Sequence, residues 1–172
     1  MIPQPVIAPK PESKLVVGMI PCFNLFFLDK VWPIIGPGLE ELANRSLGEF
    51  TPWSIRNKIY LGSLHLYMAY IDQEGTATED KFQEIFAERL RTPEVGFVWF
   101  GITELRETSF HIYAAYIAPE YRGFDVVKSA MKYAESVARK AKAPALTLAS
   151  EKDTAFKSLG FVETTTNYRK NL

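Results

Sequence analysis

The residues best suited to chemistry lie in one run, Tyr116-Ile-Ala-Pro-Glu-Tyr-Arg-Gly-Phe-Asp-Val-Val, just ahead of and into an amphipathic segment. Arg122 in that run either contacts a phosphate or pairs with a carboxylate at the surface. Asp125 has the type and position to cap the following segment as a helix, its carboxylate taking the first amides. Chemistry is sparse elsewhere. His65 and His111 each sit inside a β-prone run with no serine or carboxylate cluster beside them, so both read as sheet histidines rather than bases. Cys22 is the only cysteine, which excludes an intramolecular disulfide and a thiolate metal cluster. No metal site is expected.

These residues need a framework, and the pattern of apolar positions supplies one. Lys14 to Ile20 is a β-branched run that ends before Pro21 and predicts a first strand. Asn24 to Trp32 and Leu39 to Ser46 read as two helical pieces, separated by Pro33, Gly36, Pro37 and Gly38. A further helix starts at Thr51, a good cap, with Pro52 at its first position, and closes at Gly62. Ser63 to Ile71, Val95 to Leu105 and Ser109 to Ala118 read as antiparallel strands, the last two joined by Arg106, Glu107 and Thr108. An extra helix at about 79–90, with an apolar stripe of Phe82, Ile85, Phe86 and Leu90, interrupts the first pair and packs on its own sheet. The strongest helix runs over 125–142, its apolar set of Val126, Val127, Ala130, Met131, Ala134, Val137, Ala138 and Ala141 stepping by three and four. After Pro144 come a short strand at Ala145 to Ala149, a short helix at Asp153 to Leu159 closed by Gly160, and a last strand from Phe161 to Tyr168. The fold class is therefore α/β, a mixed sheet antiparallel in its N-terminal part with a strand-helix-strand crossover in its C-terminal half.

Composition narrows the partners. Among 172 residues, 20 Lys and Arg balance 20 Asp and Glu, so no global field draws in nucleic acid or anionic lipid. The longest apolar stretch, Val16 to Leu28, is broken by Gly18, Pro21 and Asn24 and falls short of the ~20 residues a bilayer requires. The opening Met-Ile-Pro-Gln-Pro lacks the positive region of a secretory signal, and a cytoplasmic location is expected. Pro3, Pro5, Pro9 and Pro11 predict an extended arm over residues 1–13, a surface for a partner protein or self-assembly, ahead of a single domain at 14–172.

The run from Tyr116 to Val127, the helix after it, Leu146-Thr-Leu-Ala and Phe156-Lys-Ser-Leu-Gly-Phe-Val together resemble the GNAT (Gcn5-related N-acetyltransferase) superfamily. Its V-x-P-x-Y-R-G-x-G-x-G segment precedes a central helix, and a Y-x-x-x-G-F segment follows the next strand. Val31-Trp32-Pro33, Leu39 to Ser46, Gly62 and Leu64 are also similar to GNAT-like proteins encoded by bacteriophages. The resemblance implies a splayed pair of parallel strands beside the helix and acetyl-CoA as cofactor. Its diphosphate would be held by main-chain groups around Ile117, Ala118, Arg122, Gly123, Phe124, Asp125, Val126 and Val127. The motif is degenerate: Asp125 and Val127 occupy two glycine positions, one adding a carboxylate and one a branched side chain at the mouth of the helix. At ~4 Å and an effective dielectric near 20, like charges repel by about 4 kcal/mol, more than the ~0.3–1 kcal/mol a helix terminus gives an anion. Phe156 replaces the tyrosine that protonates the leaving thiolate, and Lys152 replaces an asparagine. A base must then come from the strands, from Glu104 or Tyr116. Two functions follow: an acetyl-CoA-dependent N-acyltransferase, or a catalytically silent GNAT-fold adaptor, for example a virion component, that binds partners through the arm and the inserted helix.

Overall fold

Seven strands form one sheet in the order β1-β2-β3-β4-β5-β7-β6 in the computed structural model. The structure describes residues 14–20, 25–45, 51–72, 78–89, 97–148, 153–164 and 167–172. The strands are β1 (Lys14–Ile20), β2 (His65–Asp72), β3 (Trp99–Arg106), β4 (Ser109–Ile117), β5 (Ala145–Leu148), β6 (Val162–Thr164) and β7 (Asn167–Asn171). The helices are α1 (Leu25–Arg45), α2 (Pro52–Tyr60), α3 (Phe82–Arg89), α4 (Phe124–Lys140) and α5 (Asp153–Ser158). The arm at 1–13, Cys22, Asn24, Leu90 and Lys152 lie outside the described residues.

Neighbours from β1 to β4 pair antiparallel, and β4 pairs β5 in parallel across the α4 crossover. The two faces of the sheet bury different residues because side chains alternate along each strand. Leu66, Met68, Tyr70, Phe100, Ile102 and Tyr116 face α1, α2 and α3. Tyr67, Ala69, Trp99, Phe110 and Ile112 face α4. The inserted helix packs on its own sheet, as its stripe predicts: Phe82 and Phe86 are fully buried and stack at 5.2 Å, and both rings contact Tyr70. A 3₁₀ turn at Glu79–Lys81 leads into it.

Two expectations are corrected. The two helical pieces are one continuous helix, α1, with Pro33 and Pro37 inside it. Two prolines and two glycines cost roughly 8 kcal/mol together in a helix interior. The fully buried Leu28, Val31, Ile35 and Leu39 return roughly 1.5–3 kcal/mol each, and half-buried Trp32, Ile34 and Leu42 add to that. Both prolines are exposed, as is Asp29, so the carbonyls of Asp29 and Pro33 that lose their i+4 amide partner sit on the solvent side. Burial on one face therefore carries a backbone defect on the other. The expected last strand, Phe161 to Tyr168, is instead the hairpin β6–β7, and β7 is inserted between β5 and β6. Threonines and a short polar stretch gave no sign of that reversal.

Among the described residues the β4–β5 ladder covers Phe110↔Leu146, His111↔Thr147 and Ile112↔Leu148, while β4 continues to Ile117. A register shift between Ile102 and Thr103 of β3 leaves Tyr113 as the extra residue on β4, so β4 bends there. The splayed parallel pair that the family resemblance implies falls on positions after Leu148 that lie outside the described residues.

Candidate active site at the open end of the sheet

β4 leads through a 3₁₀ turn at Pro119–Tyr121 to Arg122, Gly123 and the start of α4. Gly123 is the cap residue of α4, and no side chain makes a capping hydrogen bond there. Asp125 lies in the first turn and is exposed; the expectation that it is the cap residue is overturned, because Gly123, two residues earlier, occupies that position. Val127 is corrected as well. Its N–H bonds to the Gly123 carbonyl at 3.3 Å, and its side chain, like that of Val126, is half-buried against the α4 core rather than projecting into the mouth. A Cβ placed on Gly123 would meet nothing within 4 Å, so the space in front of the helix is open. A 17-residue helix thus presents its positive end, without a side-chain cap, just after β4. Main-chain amides and the close approach that Gly123 allows suit a diphosphate, while the exposed Asp125 carboxylate in the same turn opposes one.

On the opposite face of the sheet, three side chains converge. Gly38 of α1 lies directly over the Tyr116 ring; a Cβ there would stand 2.7 Å from the ring and 2.9 Å from Phe100. That close approach puts Glu41, three residues on and so on the same helix face, within reach of the Tyr116 hydroxyl. Tyr116 donates to Glu41 Oε2 at 2.8 Å. Arg122 donates to both Glu41 oxygens at 3.0 Å and from Nε to the Ile117 carbonyl at 3.1 Å, and its guanidinium lies over the Tyr116 ring at 5.3 Å. Burial and the hydrogen bond to Glu41 push the Tyr116 hydroxyl above its ordinary pKa, so it is a phenol and a donor at neutral pH. Arg122, open in the sequence between phosphate contact and surface pairing, is paired, and Glu41 further secures its charge.

Glu104, the other candidate base, is not brought to this end. It pairs with Arg106 at 2.6 Å and stands across from His111, toward the hairpin turn, whereas Tyr116 stands across from Phe100. Of the remaining candidates, Ile117 and Ala118 line the approach to Gly123, with the Ala118 N–H held by the Val98 carbonyl at 2.9 Å. Phe124 begins α4. Phe156 is half-buried and edge-on to Phe161 at 5.9 Å, an apolar contact in the α4-side core. Glu41 was missed in the sequence, since 75 and 81 positions separate it from Tyr116 and Arg122 and no local pattern connects them. Among the described residues no group of three or more His, Cys, Asp or Glu could hold a metal, and no helix is long and apolar enough to cross a membrane.

No family model and no curated protein matches the chain. Solved structures do. An IAA acetyltransferase from Bacillus cereus aligns with TM-score 0.58 at 12% identity over 92% of this chain and 100% of its own. An acetyltransferase of the GNAT family from Listeria monocytogenes aligns with TM-score 0.51 at 15% identity, covering 92% and 95%. A PaiA N-acetyltransferase from Thermoplasma acidophilum, solved in complex with coenzyme A, aligns with TM-score 0.54 at 12% identity, covering 92% and 99%. The chain has the α/β fold of these acetyltransferases.

Proposed function

We propose that the chain is a CoA-dependent N-acyltransferase that transfers a short acyl group from the thioester to an amine. The observation that carries this reading is the start of α4: uncapped by any side chain, open at Gly123, and set directly after β4, the strand paired in parallel with β5 across the α4 crossover. The solved complex of the PaiA enzyme with coenzyme A supports the same assignment by analogy of fold. CoA would supply the activated thioester, its diphosphate held by main-chain amides from Gly123 onward.

In the transfer the amine nitrogen bonds to the acyl carbon, the C–S bond breaks, the amine loses a proton and the thiolate gains one. Glu41 holds Arg122 and the Tyr116 hydroxyl at the Gly123 end of β4, so in this reading the three are positioning residues beside the diphosphate and the amine's proton leaves elsewhere. Glu104 has no part in this reading.

The test is thermal. Millimolar CoA raises the melting midpoint if the mouth of α4 binds it, and the shift disappears in Gly123→Leu, which fills that mouth. An unmoved midpoint in the wild-type chain defeats the proposal. It would leave the second reading, a silent adaptor of phage type acting through residues 1–13 and the inserted helix, which the apolar Phe156–Phe161 contact in place of a thiolate-protonating tyrosine favours.

A further inference from the structure

α2 has two apolar faces, and the core uses only one of them. Ile55 and Ile59, one turn apart, are fully buried. On the opposite side lie Trp53, Asn57, Tyr60 and Leu61, whose one-turn and two-turn spacings place them on a single line along the helix and its cap residue. All four are exposed, Trp53 at 65%, Tyr60 at 48% and Leu61 at 74%. An amphipathic helix ordinarily gives that side to polar residues.

Charge is arranged around this ridge. Arg56 and Lys58 flank its midline at Asn57, one on each side, at about 100° per residue of helix. From residue 50 to residue 71 the sequence has no Asp or Glu, although it has 20 elsewhere, so a chain of zero net charge carries one locally positive stretch. Arg56 is tied to Asp29 of α1 and lies over the Trp32 ring at 5.9 Å; the exposed Lys58 reaches over the Tyr113 ring of β4 at 5.6 Å. The exposed acids of α3, Glu84 and Glu88, belong to a helix packed over β1, three strands from β4. At 4.7–4.9 Å per strand that is roughly 14 Å, more than a Debye length in physiological salt.

We propose that this ridge docks the protein on an anionic phospholipid surface: Trp53, Tyr60 and Leu61 enter the boundary between headgroups and acyl chains, and Arg56 and Lys58 lie at the level of the phosphates on either side. Tryptophan and tyrosine suit that depth, since each joins an apolar ring to a polar N–H or O–H. Size argues against a protein as the occupant. The three apolar side chains present roughly 300–400 Å², about half of what one side of a stable protein interface buries. A second copy would also bring two positive faces together. A bilayer sets no such minimum, because it closes around whatever is inserted, and each basic residue near its surface strengthens binding about fivefold. The inference holds whether or not α4 binds CoA.

Co-sedimentation of the full chain with vesicles of mixed phosphatidylglycerol and phosphatidylcholine tests it, with pure phosphatidylcholine vesicles for comparison. The chain should bind the anionic vesicles, release from them as salt is added, and bind the neutral ones far less. Trp53→Ala should lower partitioning more than tenfold and Lys58→Gln about fivefold. Both positions are exposed, so neither change should move the melting midpoint. Of the other two tryptophans Trp99 is buried and Trp32 half-buried, so emission should shift to the blue on anionic vesicles, and Trp53→Phe should lose the shift while keeping most of the binding. No binding to anionic vesicles at low salt overturns the proposal, and so does binding that Trp53→Ala leaves undiminished. Light scattering on the free chain is the remaining arm: an oligomer that Trp53→Ala converts to monomer would make the ridge a contact between copies instead.

Discussion

The two ends of β4 are built on opposite plans. Toward the hairpin turn, where β4 is paired on both sides, Ser109 and His111 are buried and bonded into the sheet: His111 Nδ1 lies 2.9 Å from Thr147 Oγ1, and Thr147 in turn donates to Ser109 at 3.3 Å. Polar groups there satisfy one another. Past Ile112, Tyr116 and Arg122 converge on a carboxylate from a distant helix, and α4 begins without a side-chain cap. The same contrast separates two helix starts. Thr51 Oγ accepts the Ser54 N–H of α2 at 3.2 Å and Ser54 returns a bond to the Thr51 carbonyl, whereas Gly123 offers α4 nothing. Closed polar arrangements stabilise, and donors left open are available to a ligand.

The largest effect expected from this contrast lies at the closed end. Burial, with Arg106 adding to it, lowers the pKa of His111 from 6.5 to about 4. Because the folded value lies below the unfolded one, the stability that depends on a neutral His111 is complete above pH 6.5 and is lost as pH falls from 6.5 toward 4, roughly 3 kcal/mol in all. Urea midpoints between pH 7 and 5 should fall in the wild-type chain and stay nearly level in His111→Gln. A wild-type curve without slope in that window would show that His111 does not resist protonation. Next in size is the open end: CoA at a hundredfold its dissociation constant adds about 2.7 kcal/mol, a rise of roughly 5–10 °C for a chain of this length.

Gly38→Ala disturbs the seat of Tyr116 and should cost roughly 1–3 kcal/mol, read as a lower denaturation midpoint, since the new methyl group meets two rings. An unchanged midpoint would mean that α1 shifts without loss. The smallest effects set the helix starts directly against each other. Thr51→Ala should destabilise by about 1 kcal/mol. Gly123→Ser should instead stabilise the ligand-free chain by a few tenths of a kcal/mol and diminish its response to CoA, because the hydroxyl then occupies an amide that the diphosphate would use. Opposite signs at the two positions are the sharpest form of the comparison.

Local signals made much of the fold legible. Thr51-Pro52 with Gly62 marks α2, and Gly62 has φ of 75°, the left-handed value its position requires. Phe82 and Phe86 mark the inserted helix, and the apolar spacing of Val126 to Ala138 marks α4 to within two residues. What stayed hidden depended on tertiary context. Pro33 and Pro37 signal a break that burial of α1's other face overrides. Asp125 looks like a cap because the sequence does not reveal that the cap lies two residues earlier, at Gly123. Glu41 cannot be paired with Tyr116 until α1 is laid on the sheet, and that depends on the missing side chain at Gly38.

The insertion of β7 between β5 and β6 fixes the order of assembly during synthesis. β5 and β6 both leave the ribosome before the strand that joins them, so until β7 emerges β6 has no place in the sheet and one side of β5 stays unpaired. A chain cut after residue 166 would therefore hold the first five strands with a bare margin at β5. Such a margin invites pairing with a second copy, and β7 is the strand that closes it.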